Sequence, residues 1–405
     1  MSKKSAYYDD VASLQPLTSS WHYLRNKSSG QKKNTTGIDR KSVYTYSLEV
    51  EKNIRLLSRN MKISSPYEFS LLKPFFIPKS DGNERVICVP TVDDRIVQRS
   101  ILNFLSDGDK CKLNNNVSFG FIPGKRHPVK EAVTKARNLR KKYQWVYKTD
   151  IKSFFDRIPR EELKDTIDKK VRYPSLRPVL HNAVDCEIYI SSANIKKRVK
   201  HQGIKNGRGI RQGMSLSPFF SNLVLIDFDR LLEKNHLNAI RYADDLIFFC
   251  SNEKDCINVH DFCKSSLCEY GLDIPDIGAK KTSIYNPSET AEFLGMGIVN
   301  QGTGYAVEIT GKQIKKIKAD FNQDSSIKEL VKQNITISKL TQRLRSRISG
   351  YLNAYEYADN IKSFEIALNS FKSTIVKDIF IDQLGLNLSA LSSEELRFLE
   401  LDMTN

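Results

Sequence analysis

Ile240-Arg241-Tyr242-Ala243-Asp244-Asp245-Leu246-Ile247-Phe248-Phe249 is the stretch on which the fold turns. Two adjacent carboxylates stand between apolar and aromatic runs, which predicts two buried strand ends joined by a tight turn. Along a strand successive side chains face opposite ways, but at a turn both acids can approach one site. Two like charges in one corner are costly unless cations neutralise them, and hard divalent ions, Mg²⁺ above all, suit oxygen ligands. Read alone, the pair also fits a polar hairpin turn with no chemistry. The rest of the chain decides between the two.

Upstream, Trp145-Val146-Tyr147-Lys148-Thr149 is an apolar strand that delivers Asp150 at its end, with Phe154-Phe155 close behind. Asp150 supplies the third carboxylate: three acids from two strands can bridge two Mg²⁺ ions about 3.5–4 Å apart, the geometry of in-line phosphoryl transfer. Earlier still, Phe75-Phe76-Ile77-Pro78 and Val86-Ile87-Cys88-Val89 flank Ser80-Asp81-Gly82-Asn83, a hairpin signal. Lys79 and Arg85 bracket that turn, either as ordinary edge-strand cations or together as a triphosphate clamp. Residues 90–99 predict a capped helix, with Ile96, Val97, Ile101 and Leu102 on its apolar side.

A Gly/Pro-punctuated loop at 118–126 leads into a helix with Lys130, Lys135, Arg137, Arg140, Lys141 and Lys142, read as a face for nucleic-acid backbone. A second basic stretch holds Lys196, Lys197, Arg198, Lys200, Lys205, Arg208 and Arg211. Gln212-Gly213 then stands at the mouth of a helix running through Phe219, Leu223, Leu225 and Phe228, where backbone can approach a substrate closely. Residues 278–282 predict a basic turn, and 292–299 one further strand. Thr310 caps a helix with Ile314, Ile317 and Phe321 on one face. A helix over about 338–357 carries the stripe Leu340, Leu344, Ile348, Tyr351 and Tyr355, with Arg343, Arg345 and Arg347 facing away. Near the start, the basic loop 26–37 fits backbone contact and solvated linker equally well, and Asp39 or Ser42 caps a helix toward Leu57.

The 405 residues allow a large core divided among two or three lobes. A net charge of +17 favours a polyanion, nucleic acid or an anionic membrane surface. No apolar run reaches about 18 residues and the lysines at the start precede no apolar segment, so neither a membrane span nor a secretory leader is expected. Seven cysteines with no CxxC pair point to free thiols in a reducing, cytoplasmic setting. Cys256, His260, Cys263 and Cys268 share a helix-like segment with Val259, Leu267 and Tyr270, so small buried thiols explain them better than zinc does.

In order, these pieces resemble the seven sequence blocks of a reverse transcriptase over about residues 35–300. The residues that carry the likeness are Arg85 to Gln98, Ser118 to Gly124, Thr149 to Ile158, Gln212 to Asn222, Tyr242 to Asp245, Lys281-Thr282 and Phe293-Leu294-Gly295. Tyr-Ala-Asp-Asp is typical of bacterial and group II-intron enzymes, and Thr36-Gly37-Ile38-Asp39 looks like the amino-terminal block of the intron type. The resemblance implies an α+β right hand: an extension at 1–72, fingers at 73–145, and a palm at 146–300 whose antiparallel sheet is backed by helices and interrupted by an insertion around 160–210. A helical thumb follows at 301–405.

It further implies that Asp150, Asp244, Asp245 and the Ile151 carbonyl hold two Mg²⁺ ions, with Mn²⁺ as a substitute. Lys79 and Arg85 would hold the dNTP triphosphate, Phe155 would exclude a 2′-hydroxyl, Gln212 with Gly213 would lie by the nucleotide, and Lys281 would protonate or neutralise the leaving pyrophosphate. No nuclease, integrase, RNase H or protease segment is apparent, and the retron strings are imperfect: Asn182-Ala183-Val184-Asp185-Cys186 lacks the terminal histidine, and Ile309-Thr310-Gly311 stands for Val-Thr-Gly. What remains resembles a stand-alone, defence-associated bacterial enzyme that copies a structured non-coding RNA into cDNA, alone, as a homo-oligomer or with an accessory protein. The rival expectations are a retron- or intron-type enzyme, template-independent or protein-primed synthesis, and a non-catalytic RNA-binding scaffold.

Overall fold

The computed structural model of the chain describes residues 6–28, 30–78 and 82–398. It divides into two compact units, Met1–Pro128 with Tyr147–Ile284, and Val129–Val146 with Tyr285–Asn405. Each combines helices with antiparallel strand pairing, so the class is α+β. Among the described residues no helix is long and apolar enough to cross a membrane.

In the first unit β1 (Lys73–Pro78) and β2 (Glu84–Val89) form the expected antiparallel hairpin. β3 (Trp145–Asp150), β4 (Ala239–Tyr242), β5 (Asp245–Cys250) and β6 (Ser283–Tyr285) form a sheet in the order β4-β5-β3-β6. That order sets the strand ending in Asp150 beside the one beginning at Asp245. Helix Glu253–Cys268 packs on β5, and its His260 Nδ1 shares a 2.8 Å hydrogen bond with the Tyr147 hydroxyl of β3. Cys256 and Cys263 are buried with it, so packing accounts for the Cys/His spacing. Helix Ser217–Lys234 is buried around most of its circumference, as its near-continuous apolar run demands. Ser42, not Asp39, is a cap, its Oγ accepting from the Thr45 N–H, but the helix it starts is only Val43–Ser47; Leu57 lies in a separate helix, Val50–Ile63.

The second unit holds β7 (Ala291–Phe293), β8 (Met296–Asn300) and β9 (Tyr305–Glu308) in sequential antiparallel order. The single strand expected over 292–299 is therefore a hairpin. Its turn residues Leu294 and Gly295 both have positive φ, 50° and 80°, as a type I′ turn requires. An apolar turn without Asn or Asp carries no signal of its own, which is why the run reads as one strand. Helices Gly311–Phe321, capped by Thr310, Ile337–Ala354 and Ile361–Asp378 belong to the same unit.

Several cations expected on basic surfaces are instead paired within the fold, and Arg140 and Arg211 are buried. Arg140 is fully buried, donates to the carbonyls of Asn286, Glu289 and Ile298, and lies over the Tyr305 ring. Arg343 is exposed as expected and Arg347 half-buried, yet both donate to the fully buried Asp324, at 3.0 and 2.5 Å. Arg211 pairs with Glu187 at 2.5 Å, and Arg198 joins Glu84 while stacking on Phe76. A buried charge needs partners, and Arg140, Arg211 and Asp324 each find them far along the chain.

Candidate active site

Tyr242 pairs with Asp245 across the β4–β5 hairpin, leaving Ala243 and Asp244 as a two-residue turn. Ala243 has φ 56°, a left-handed conformation at the first turn position that costs an L-residue about 1–2 kcal/mol. From β3, the Ile151 N–H donates to the Asp244 carbonyl at 3.1 Å, stitching the end of that strand to the turn. Asp150, 7 % exposed, is close enough to both acids to perturb them. Burial first, then the Asp245 and Asp150 charges, push the Asp244 carboxyl above the usual carboxylate range against the pull of Lys281. Asp245 is raised as well, by burial and by Asp150, with Lys148 and Lys281 opposing.

Lys281 bonds directly to Asp150 Oδ2. Its position follows from the next residue: Thr282 and Thr149, both fully buried, share a 2.8 Å hydroxyl contact that ties the 278–282 turn to β3. Burial disfavours the ammonium, but the hydrogen bond to Asp150 and the charges of all three acids outweigh it and hold its pKa above normal. Among the described residues no three His, Cys, Asp or Glu side chains are spaced to hold a metal ion as they stand. The donor set nonetheless suits a hard dication: three carboxylates repel one another, and a lysine ammonium already serves as counter-ion on one of them.

The other expected residues lie in the same unit. Arg85 is exposed on β2 opposite Ile77; Lys79 falls outside the described residues. Phe155 is half-buried against Phe154, with ring centroids 5.5 Å apart, and its carbonyl accepts from the Ile210 N–H at 2.8 Å. The Gln212 carbonyl accepts from the Cys88 N–H at 2.7 Å, which joins the Gln-Gly segment to β2. A Cβ at Gly213, where φ is 111°, would stand 2.4 Å from the Cys88 carbonyl oxygen, so only glycine fits. Sequence reasoning missed Arg241, Asn222 and Asp229, which support the turn from within; an arginine amid apolar strand residues was the available signal, since a buried charge must be paired.

Residues 77–298, more than half of the chain, match the family described as "Reverse transcriptase (RNA-dependent DNA polymerase)". The chain belongs to that family, and it is an RNA-directed DNA polymerase. Protein YkfC of Escherichia coli (strain K12) is 25% identical over 317 residues, covering 67% of this chain and 77% of that protein. The COX1/OXI3 intron 2 protein of Saccharomyces cerevisiae is 22% identical over 232 residues, 56% of this chain but 25% of the intron protein. Among solved structures, the Candida albicans telomerase with a TWJ fragment of telomeric RNA superposes at TM-score 0.44 and 13% identity, over 90% of this chain and 69% of that one. The apo telomerase of Candida tropicalis gives TM-score 0.44 and 18% identity, over 88% of this chain and 65% of that one.

Proposed function

We propose that this chain extends a primer 3′-hydroxyl with dNTPs along a structured non-coding RNA, in bacterial antiphage defence. The observation that carries the chemistry is the gathering of Asp150, Asp244 and Asp245 around one lysine ammonium. Asp150, Asp244, Asp245 and the Ile151 carbonyl would hold Mg²⁺, with Mn²⁺ as a substitute. Bound there, divalent ions lower the pKa of the attacking hydroxyl and neutralise the triphosphate. Lys281, released from Asp150, would then offer its proton to the leaving pyrophosphate. Arg85 with Lys79 would hold the triphosphate, Phe155 would press against the sugar where a 2′-hydroxyl would project, and Gln212-Gly213 would border the base.

Primer extension tests the reading. Wild-type protein with a primed RNA, Mg²⁺ and dNTPs makes DNA, and Asp244→Ala with Asp245→Ala lowers the rate at least about 10³-fold. Undiminished extension by the double variant would refute the assignment of the acids, and product formed without RNA would favour template-independent addition. The defence role is supported by the resemblance to stand-alone defence-associated enzymes. It predicts that phage plating on cells carrying the gene rises with the double variant; equal plating would remove the role and leave the chemistry intact.

A further inference from the structure

A buried polar relay grips the aspartate turn from behind. Arg241, fully buried, donates Nε and Nη2 to the two carboxylate oxygens of Asp229 at 2.6 and 2.5 Å, and Asp229 is only 1% exposed. Arg241 Nη1 donates to Asn222 Oδ1 at 3.0 Å and to the Ala243 carbonyl at 3.1 Å. Asn222 in turn directs its amide away, Nδ2 donating to the carbonyls of Gly120 and Phe121 at 3.0 and 3.3 Å. The backbone reinforces the link, since Phe119 N–H donates to the Arg241 carbonyl at 2.9 Å and Arg241 N–H to that of Val117 at 2.8 Å. Gly120 closes the contact: a Cβ there would lie 2.8 Å from the Ala243 nitrogen.

Two left-handed residues bracket the relay, Phe121 at φ 59° and Ala243 at φ 56°. Neither is a residue that adopts that conformation without support. A buried ion pair is also a poor choice for stability alone, because apolar residues of similar volume do as well or better. What Asp229, Arg241 and Asn222 supply, and apolar packing does not, is three directed hydrogen bonds to the carbonyls of Gly120, Phe121 and Ala243, the last two of them left-handed.

We propose that Asp229, Arg241 and Asn222 are positioning residues. They fix the Ala243 carbonyl, and through it the direction in which Asp244 and Asp245 present their carboxylates to a divalent cation. The inference rests on the cation-binding reading of those acids, and it assigns their orientation to side chains that touch neither cation nor nucleotide.

The test measures Mn²⁺ binding to the full chain by electron paramagnetic resonance, beside primer extension. Asn222→Leu removes both arms of the relay; Asn222→Asp keeps an acceptor for Arg241 but loses the donors to Gly120 and Phe121. Gly120→Ala leaves the relay whole and pushes on Ala243 from outside. Asn222→Leu is expected to weaken Mn²⁺ binding and lower kcat by roughly 10- to 100-fold, with KM for dNTP within about 2-fold of wild type. Asn222→Asp recovers part of the Mn²⁺ affinity, and Gly120→Ala reproduces the loss. A folded Asn222→Leu protein with wild-type Mn²⁺ affinity and turnover would overturn the proposal; should Asn222→Leu not fold, Asn222→Asp, which loses the bonds to Gly120 and Phe121, decides it by the same two measurements. A wild-type chain that binds Mn²⁺ but extends no primer would sink the polymerase reading, while the relay is still judged by the Mn²⁺ affinities.

Discussion

Asp244 and Asp245 are poised against the fold that carries them. Burial raises both pKa values, helped by the Asp245 and Asp150 charges at Asp244 and by Asp150 at Asp245, so each folded-state value lies above its unfolded one. For an acid shifted upward, ionisation opposes folding: the favourable contribution is full below the unfolded pKa and is lost as pH rises through the folded pKa. Asp244→Asn should therefore melt higher than wild type at pH 8 in chelator, with the gap closing toward about pH 4. Added Mg²⁺ should raise the melting temperature of wild type more than that of the variant. Thermal melts at two pH values, with and without Mg²⁺, check both statements, and identical melts would show that the acids are not strained. Lys281 makes the complementary case. Its bond to Asp150 and the Thr149–Thr282 contact hold it at the site, and Lys281→Ala should lower kcat by on the order of 10²-fold while leaving RNA affinity unchanged. For Phe155→Ala, steady-state comparison of dNTP and rNTP incorporation should show selectivity falling by up to about 10²-fold.

Elements explain why some basic residues are not what their sequence context suggests. The helix Pro128–Lys142 has a strongly basic composition, yet Arg140 serves three carbonyls of the second unit rather than a phosphate backbone. Arg140→Met should cost on the order of 3 kcal/mol, because it strands buried acceptors, and RNA affinity of the folded fraction should not change. Urea denaturation with a parallel RNA-binding titration separates these effects. Loss of affinity at unchanged stability would restore the surface reading. The β4–β5 hairpin was legible from its apolar flanks and central acids, and β3 from its run into Asp150. The β7–β8 hairpin was not, because Leu294-Gly295 lacks the polar turn residues that announce a type I′ turn.

At the scale of the whole molecule, the charge of +17 survives the burial of several arginines and remains the driving force for nucleic-acid association. Single-stranded RNA binding should weaken with salt at a slope of about −4 in log K against log salt, which corresponds to roughly six phosphates. A slope shallower than about −1 would mean that the surplus charge does not meet backbone. The sequence by itself determined which segments are strands and helices around the acids, and which family the chain resembles. These follow from local patterning and from residue types that few other sites need. Only the tertiary structure decided where the buried charges go. Arg211, Arg343 and Arg347 read as surface cations, and Arg241 drew no role, because the acids that neutralise them, Glu187, Asp324 and Asp229, lie 12 or more positions away along the chain. Pairing at that distance is set by how strands and helices stack, and periodicity, which reports only near neighbours, does not record it.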